Sequence, residues 1–188
     1  MPVLNIAMVG TDDLAREIAK PTDQRDVHTY VHKESGPDGP RILSLIRPAK
    51  YPDRLRPLLN ALSAARVGII EISEINATLG ETLVAFASAN ITKGIGIINA
   101  PQGGWVDEEQ AKMLFQQAGL EKWIFASTDG IELRNKLYQF MDDIADDLSA
   151  IANAPLVIPV DQHFNVCLLY TSDAADEGLG VDLGGRRI

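Results

Sequence analysis

Short apolar runs alternate with segments of helical periodicity along most of this chain. The runs predict six strands, at residues 4–9, 28–33, 41–46, 67–72, 94–98 and 123–127. The second and third flank the turn G-P-D-G-P of residues 36–40, which indicates a hairpin. Residues 94–98, G-I-G-I-I, have the composition of a strand that is buried on both faces.

Helical periodicity fills the segments between most of these strands. Helices are predicted at residues 14–20, 52–65, 79–89, 107–118 and 131–151, with Pro21 ending the first and Asp107 capping the fourth. Strands separated by helices of this length pair in parallel and carry helices on both sheet faces. The pattern therefore predicts an α/β three-layer domain with a mostly parallel six-stranded sheet and one antiparallel hairpin strand.

Composition narrows the function classes. The net charge of −9 argues against a broad nucleic-acid-binding surface, so DNA is not an expected partner. The single cysteine, Cys167, leaves residues 1–166 without a thiol for a disulfide, a zinc cluster or a nucleophile. No basic region followed by a long apolar one opens the chain, and no apolar run approaches about 18 residues. We therefore expect a cytoplasmic protein with no membrane contact.

The last residues of the chain differ in sequence character from the rest. Residues 167–177, C-L-L-Y-T-S-D-A-A-D-E, and 181–188, V-D-L-G-G-R-R-I, resemble an in-frame translation of a sequencing-library adaptor. Residues 167–188 are therefore predicted to be an artefact, and the natural protein is expected to continue beyond Val166.

Two stretches carry a family resemblance. Residues 64–75 read A-A-R-V-G-I-I-E-I-S-E-I, and L-G-E-T-L-V-A-F and G-I-G-I-I-N follow; residues 158–166 read I-P-V-D-Q-H-F-N-V. The chain resembles the translation elongation factor GTPases (elongation factor Tu, elongation factor 1-alpha and SelB), in a divergent archaeal-type branch with degenerate nucleotide motifs. The resemblance implies a GTPase-like domain at residues 1–151. It also implies a linker and the truncated first strand of a β-barrel second domain at residues 152–166.

In that family a phosphate-binding loop, G-x-x-x-x-G-K-[ST], follows the first strand, and here it reads G-T-D-D-L-A-R-E over residues 10–17. Gly10 is kept, whereas Arg16 replaces the lysine and Glu17 the hydroxyl that holds Mg²⁺. Asp12 and Asp13 add negative charge where a triphosphate would lie, and each like-charge pair at ~4 Å costs a few kcal/mol. The loop is therefore predicted to repel phosphate.

The other family motifs are also incomplete. Residues 47–50, R-P-A-K, lack the aspartate and glycine of D-x-x-G, and Tyr51 falls near the position of the water-positioning histidine. Asn99 keeps only the first residue of the guanine-reading N-K-x-D, and Ser127 resembles the remaining base-side loop. Gly10, Arg16, Asn99 and Ser127 are thus the degenerate nucleotide-site positions, and no catalytic or metal-ligating residue is predicted.

Phosphoryl transfer depends on positioning the phosphate groups and on neutralising their charge, and the loss of these motif residues removes both. We expect a protein that regulates or binds in translation without hydrolysing GTP. The resemblance implies GTP and Mg²⁺ as cofactors, which the degenerate motifs argue against, and it implies the ribosome or tRNA as partners. One alternative is an active, divergent GTP-binding factor that uses Arg16 for the lysine. Another is an interaction module unrelated to the ribosome.

Two further features have competing interpretations. Residues 142–146 spell D-D-I-A-D, a diphosphate–Mg²⁺ signature in all-helical enzymes; in an α/β pattern a solvated helix face is favoured. Trp105, after Gly103 and Gly104, could anchor a partner, but packing against the neighbouring helix is favoured over exposure.

Overall fold

The computed structural model describes residues 2–25, 27–36, 39–151, 164–166 and 169–171. The chain divides into two compact units, Met1–Leu148 and Ser149–Ile188. The first unit holds the sheet and the helices that position the candidate site.

Seven strands form the sheet of the first unit. They are β1 (Val3–Val9), β2 (Lys20–Gln24), β3 (Val27–Gly36), β4 (Gly39–Pro48), β5 (Val67–Ile72), β6 (Gly94–Ile98) and β7 (Ile124–Ala126). Their order across the sheet is β2-β3-β4-β1-β5-β6-β7. The pairs from β4 to β7 are parallel, and β3 pairs antiparallel with β4 and with β2. The predicted α/β class, the parallel framework and the hairpin are confirmed.

Five helices cover the two faces of this sheet. They are α1 (Asp12–Ile18), α2 (Leu55–Ala64), α3 (Ala77–Ser88), α4 (Glu108–Gln117) and α5 (Gly130–Ile151). The buried residues of α1 and α5 share one hydrophobic core with the sheet, and those of α2, α3 and α4 share another. The predicted cap of α4 is confirmed, since the Asp107 carboxylate accepts hydrogen bonds from the backbone N–H groups of Glu109 and Gln110.

The seventh strand, β2, is the element that the sequence pattern missed. Helix α1 begins at Asp12, after Thr11 as its cap, and ends at Ile18, so Lys20 starts a strand instead of closing the predicted helix. Every residue of β2 is exposed, so no apolar alternation marks it. Pro21 is tolerated there because an edge strand leaves backbone donors unpaired on its outer side.

The second unit contains a short antiparallel hairpin, β8 (Phe164–Val166) paired with β9 (Leu169–Thr171). Residues 152–163, predicted as linker and start of a barrel strand, lie outside the described residues. So do residues 172–188 of the predicted adaptor segment. Among the described residues, no helix is long and apolar enough to cross a membrane.

The order in which strands are added to the sheet reverses beside β1. Strands β2 to β4 lie on one side of β1, and strands β5 to β7 lie on the other. Strand β1 lies between β4 and β5, and the helix after β1 covers one face whereas the helix after β5 covers the other. In open α/β sheets such a point leaves a crevice at the carboxyl ends of the two strands, where ligands bind. The loops after β1 and β5 therefore define the place to look for a site.

Candidate functional site

The carboxylate of Glu71, near the end of β5, lies against the loop that follows β1. It accepts hydrogen bonds from the Thr11 backbone N–H, from Thr11 Oγ1 at 3.2 Å and from Asn99 Nδ2 at 2.6 Å. Thr11, Glu71 and Asn99 will be called the β1 site. A backbone N–H beside a helix N-terminus is a donor that suits an anion. In this protein the anion is a side chain of the chain itself.

The close approach of Glu71 explains the glycine at position 10. A Cβ on Gly10 would stand 2.8 Å from Glu71 Oε2 and 2.9 Å from Glu71 Cβ, closer than real Cβ contacts allow. Arg47 fixes the same turn from the neighbouring strand β4, donating from Nε to the Gly10 carbonyl oxygen at 2.6 Å. The predicted Gly10 is thus at the site, where it admits a carboxylate.

Glu71 itself was absent from the residues that the sequence singled out. The feature that could have identified it is its charge, because Glu71 is the one charged residue in the otherwise apolar run V-G-I-I-E-I of β5. A charge near the carboxyl end of a buried parallel strand indicates a functional position, because burying it is costly unless it is hydrogen-bonded.

Arg16, the predicted stand-in for the phosphate-binding lysine, is engaged within its own helix. Its Nε donates to the Asp12 carboxylate one turn earlier, and the Tyr30 hydroxyl donates to the same carboxylate. The hydrogen bond from Tyr30 and then that from Arg16 lower the pKa of Asp12. No hydrogen bond joins Arg16 to the β1 site within the described part of the chain. Asp12 is thus an ionised carboxylate that pairs with Arg16 and accepts a hydrogen bond from Tyr30.

Ser127, the fourth predicted position, lies at the end of β7 and contacts a different carboxylate. Its Oγ donates to Glu132 Oε2 and accepts from the Asp129 backbone N–H at 3.3 Å. The hydrogen bond from Ser127, followed by that from Lys136, lowers the pKa of Glu132. Ser127 and Glu132 will be called the β7 site; they line a cavity of about 430 Å³.

A second cavity, of about 450 Å³, opens at the β1 site between the ends of β1 and β5 and the start of α3. Its described lining includes the carboxylates of Glu71 and Glu74 and no lysine or arginine. Tyr51, near the position of the family's histidine, lines it and shares a hydrogen bond of 2.8 Å with the Thr82 hydroxyl. A polyanion entering this cavity would meet negative charge with no basic side chain on its walls.

Two other expectations can be compared with the structure. Trp105 is 82% exposed, so the favoured packing of its ring against the neighbouring helix is wrong; Val106 is the residue of this loop that enters the core.

Asp142 and Asp143 are exposed and pair with Arg41 and Lys93. Among the described residues, no group of three or more histidine, cysteine or acidic side chains could hold a metal ion.

The chain is similar to an uncharacterized protein, MJ0325, of Methanocaldococcus jannaschii, with 25% identity over 167 residues. The aligned region covers 88% of this chain and 50% of that protein, so the chain spans about half the length of the relative. No family model matches the sequence.

Proposed function

We propose that this chain is the GTPase-like part of a cytoplasmic protein of the elongation factor type, which binds in translation without hydrolysing GTP. Two kinds of observation support the proposal. The sheet order places a crevice beside the first strand, where GTPase-like domains hold nucleotide in the family that the sequence resembles. The residues in that crevice lack the charge that the chemistry needs.

The hydrogen bonds of Glu71 carry the proposal. Its carboxylate accepts from the Thr11 N–H, the type of backbone donor that cradles phosphate in an active loop. A phosphate group would have to displace this carboxylate and then lie next to it. At ~4 Å and an effective dielectric near 20, that proximity costs about 4 kcal/mol per unit charge, much of a micromolar binding energy.

The engagement of Arg16 argues against the divergent active enzyme. To neutralise a phosphate, Arg16 would have to leave Asp12, and the Asp12 carboxylate would then face the ligand with only Tyr30 as a donor. The gain from one charge-assisted hydrogen bond is offset by the loss of another.

Binding of a fluorescent GTP analogue with Mg²⁺ to the full chain tests the proposal, together with release of phosphate from GTP. The expected result is no saturable binding at tens of micromolar analogue and no turnover above the buffer rate. Arg16→Ala should leave both results unchanged. Micromolar binding with turnover, lost in Arg16→Ala, would establish the active enzyme instead.

The proposed place of action, the ribosome or aminoacyl-tRNA, follows from the family resemblance. Co-sedimentation of the protein with ribosomes, with and without ribonuclease treatment, measures it. Co-sedimentation that survives in nucleotide-free buffer is expected, since the proposal gives GTP no role. A protein that stays in the supernatant, and that does not retard aminoacyl-tRNA in a gel, would favour an interaction module unrelated to the ribosome.

A further inference from the structure

The cavity at the β1 site has the size of a small-molecule site and a lining of mixed character. Its volume of about 450 Å³ lies within the range of roughly 300–1,000 Å³ that is typical of ligand pockets. It opens where the order of strands in the sheet reverses, which is the usual place for a ligand in an open α/β sheet. Part of its wall is apolar, from Val9, Ile72 and Leu79, and the rest is polar. Such a wall suits a ligand that has both an apolar body and a polar group.

The charged side chains of this described lining are both carboxylates, Glu71 and Glu74. Glu71 accepts its hydrogen bonds from the Thr11 N–H and hydroxyl and from the Asn99 amide, all of which are neutral. Glu74 accepts from the Asn76 amide, which is also neutral. Within the part of the chain that the structure describes, neither carboxylate forms an ion pair. The cavity therefore presents two negative charges that no ion pair of the described chain compensates.

The hydroxyl of Tyr51 adds a third acceptor to the lining. The Thr82 hydroxyl donates its single hydrogen to the Thr78 carbonyl oxygen at 2.7 Å. The 2.8 Å hydrogen bond between Tyr51 and Thr82 therefore has Tyr51 as its donor. Because Thr82 is only 2% exposed, water does not compete for these hydrogen bonds. With its hydrogen used in this way, the Tyr51 oxygen can only accept a hydrogen bond from a ligand.

From these observations we infer that the cavity at the β1 site binds an alkylammonium group, that is, a protonated primary amine on a short apolar chain. Such a group has three N–H donors and one positive charge, which match the acceptors Glu71, Glu74 and Tyr51. Its apolar chain lies on the apolar part of the wall. A metal ion fits less well, because among the described residues no group of three or more histidine, cysteine or acidic side chains could hold one. The inference is independent of the proposed place of action in translation.

Titration of the full chain with n-butylammonium chloride, followed by ¹⁵N–¹H and carboxyl ¹³C NMR, tests this inference. A constant ionic strength of about 0.15 M keeps the screening of long-range attraction to the acidic chain unchanged during the titration. Saturable shifts of the Glu71 and Glu74 carboxyl carbons are expected, with a dissociation constant in the millimolar range because the probe is small. n-Butanol, the neutral analogue, should bind at least tenfold more weakly. Shifts that do not saturate in the millimolar range, or equal binding of n-butanol, would overturn the inference.

The same chemical group occurs on free amines and on the lysine side chains of proteins. N-acetyl-lysine N-methylamide carries it on a peptide backbone and is titrated in parallel. Tighter binding of this blocked lysine than of n-butylammonium would support the alkylammonium site and assign it to a lysine of a partner protein. Weaker binding would support the same site for a free amine.

Charge-neutral variants locate the binding on the cavity. Glu74→Gln should weaken n-butylammonium binding several-fold, because the amide keeps the size of the side chain and removes its charge. Glu81→Gln is the matched control, since Glu81 is an exposed carboxylate on α3 that does not line this cavity, and it should leave binding unchanged. The ¹⁵N–¹H spectrum shows whether each variant keeps its fold. An equal effect of the two substitutions would mean that the amine is attracted to the acidic surface in general, and the inference would fail.

A second probe tests the acceptor role of Tyr51. Tetramethylammonium carries the same charge as n-butylammonium but has no N–H donor. Tyr51→Phe removes the hydroxyl and should weaken n-butylammonium binding several-fold, while tetramethylammonium binding stays the same. Equal weakening of both probes would show that Tyr51 only shapes the cavity, which would contradict its place among the acceptors.

Discussion

The two halves of the predicted nucleotide site differ in how the chain uses its own carboxylates. At the β1 site Glu71 is bonded to residues distant in sequence, Thr11 and Asn99. At the β7 site Glu132 is bonded to Ser127, five residues away, within one strand–helix connection. The first arrangement joins the ends of three parallel strands, whereas the second is local. The difference shows that long-range hydrogen bonds join the loops beside β1, and that the loop after β7 is arranged independently of them.

Asn99 belongs to the first of these arrangements in the structure. By family resemblance Asn99 belongs with Ser127 in reading a base, but its amide donates to Glu71 in the β1 site. Asn99 and Gly10 are brought together, while Arg16 and Ser127 each have a separate local partner.

The largest effect is expected where the two halves meet. A Cβ on Gly130, at the start of α5, would stand 2.2 Å from the Glu17 carbonyl oxygen near the end of α1. Gly130→Ala should destabilise the protein by about 3 kcal/mol through overpacking, a loss of roughly 6–12 °C in melting temperature. Gly80→Ala is the matched control, because its Cβ has open space and should raise stability slightly. Equal melting temperatures for the two variants would show that α1 and α5 are not held at this contact.

Removing the β1 carboxylate should have the next largest effect. Glu71→Ala leaves the Thr11 N–H and the Asn99 amide without their acceptor, so a loss of about 1–2 kcal/mol is expected in chemical denaturation. The freed donor should also let millimolar inorganic phosphate shift the Thr11 amide resonance, which it should not do in the natural sequence. Glu132→Ala, the matched change at the β7 site, should leave that resonance unaffected by phosphate.

The coupling energy between the two hydrogen-bonded side chains of each site gives a finer comparison of the β1 and β7 sites. A double-mutant cycle on Glu71 and Asn99 should give about 0.5–1 kcal/mol, because their hydrogen bond is charge-assisted and joins two strands. The corresponding cycle on Ser127 and Glu132 should give less, since these side chains are five residues apart in one strand–helix connection and can meet without the tertiary structure. A larger coupling at the β7 site would reverse the contrast between the halves.

The smallest expected effect concerns Asp12. Its folded pKa is lowered from 3.8, first by the Tyr30 hydrogen bond and then by Arg16. Its contribution to stability is therefore present above pH 3.8 and is lost as the pH falls through the folded pKa. Titration of the Asp12 carboxyl carbon by NMR should show this lower pKa, and Tyr30→Phe should raise it. An unchanged pKa in Tyr30→Phe would assign the effect to Arg16 alone.

The fold was predictable from sequence to the extent that burial leaves a periodic pattern. The runs of β1, β5 and β6 and the Asp107 cap are local signals, and the structure confirms them. Strand β2 has no buried face and therefore leaves no such pattern. The position of Trp105 depended on its neighbour, because Val106 takes the core position of that loop.

The site was less predictable because its bonds span long sequence distances. Glu71 and Thr11 are sixty residues apart, and only the parallel pairing of β1 with β5 brings them together. The sequence placed repulsive charge in the β1 loop through Asp12, whereas the carboxylate that accepts the loop's backbone hydrogen bond comes from another strand. A motif comparison along one loop could not show that contribution.

The Thr11 backbone amide gives the most direct test that Glu71 closes the β1 crevice to nucleotide. In a ¹⁵N–¹H spectrum of the natural sequence, millimolar GTP with Mg²⁺ should leave this resonance in place, because its hydrogen bond to Glu71 is already made. The same addition to Glu71→Ala should shift it. A saturable shift of the Thr11 resonance in the natural sequence at micromolar GTP would contradict the account.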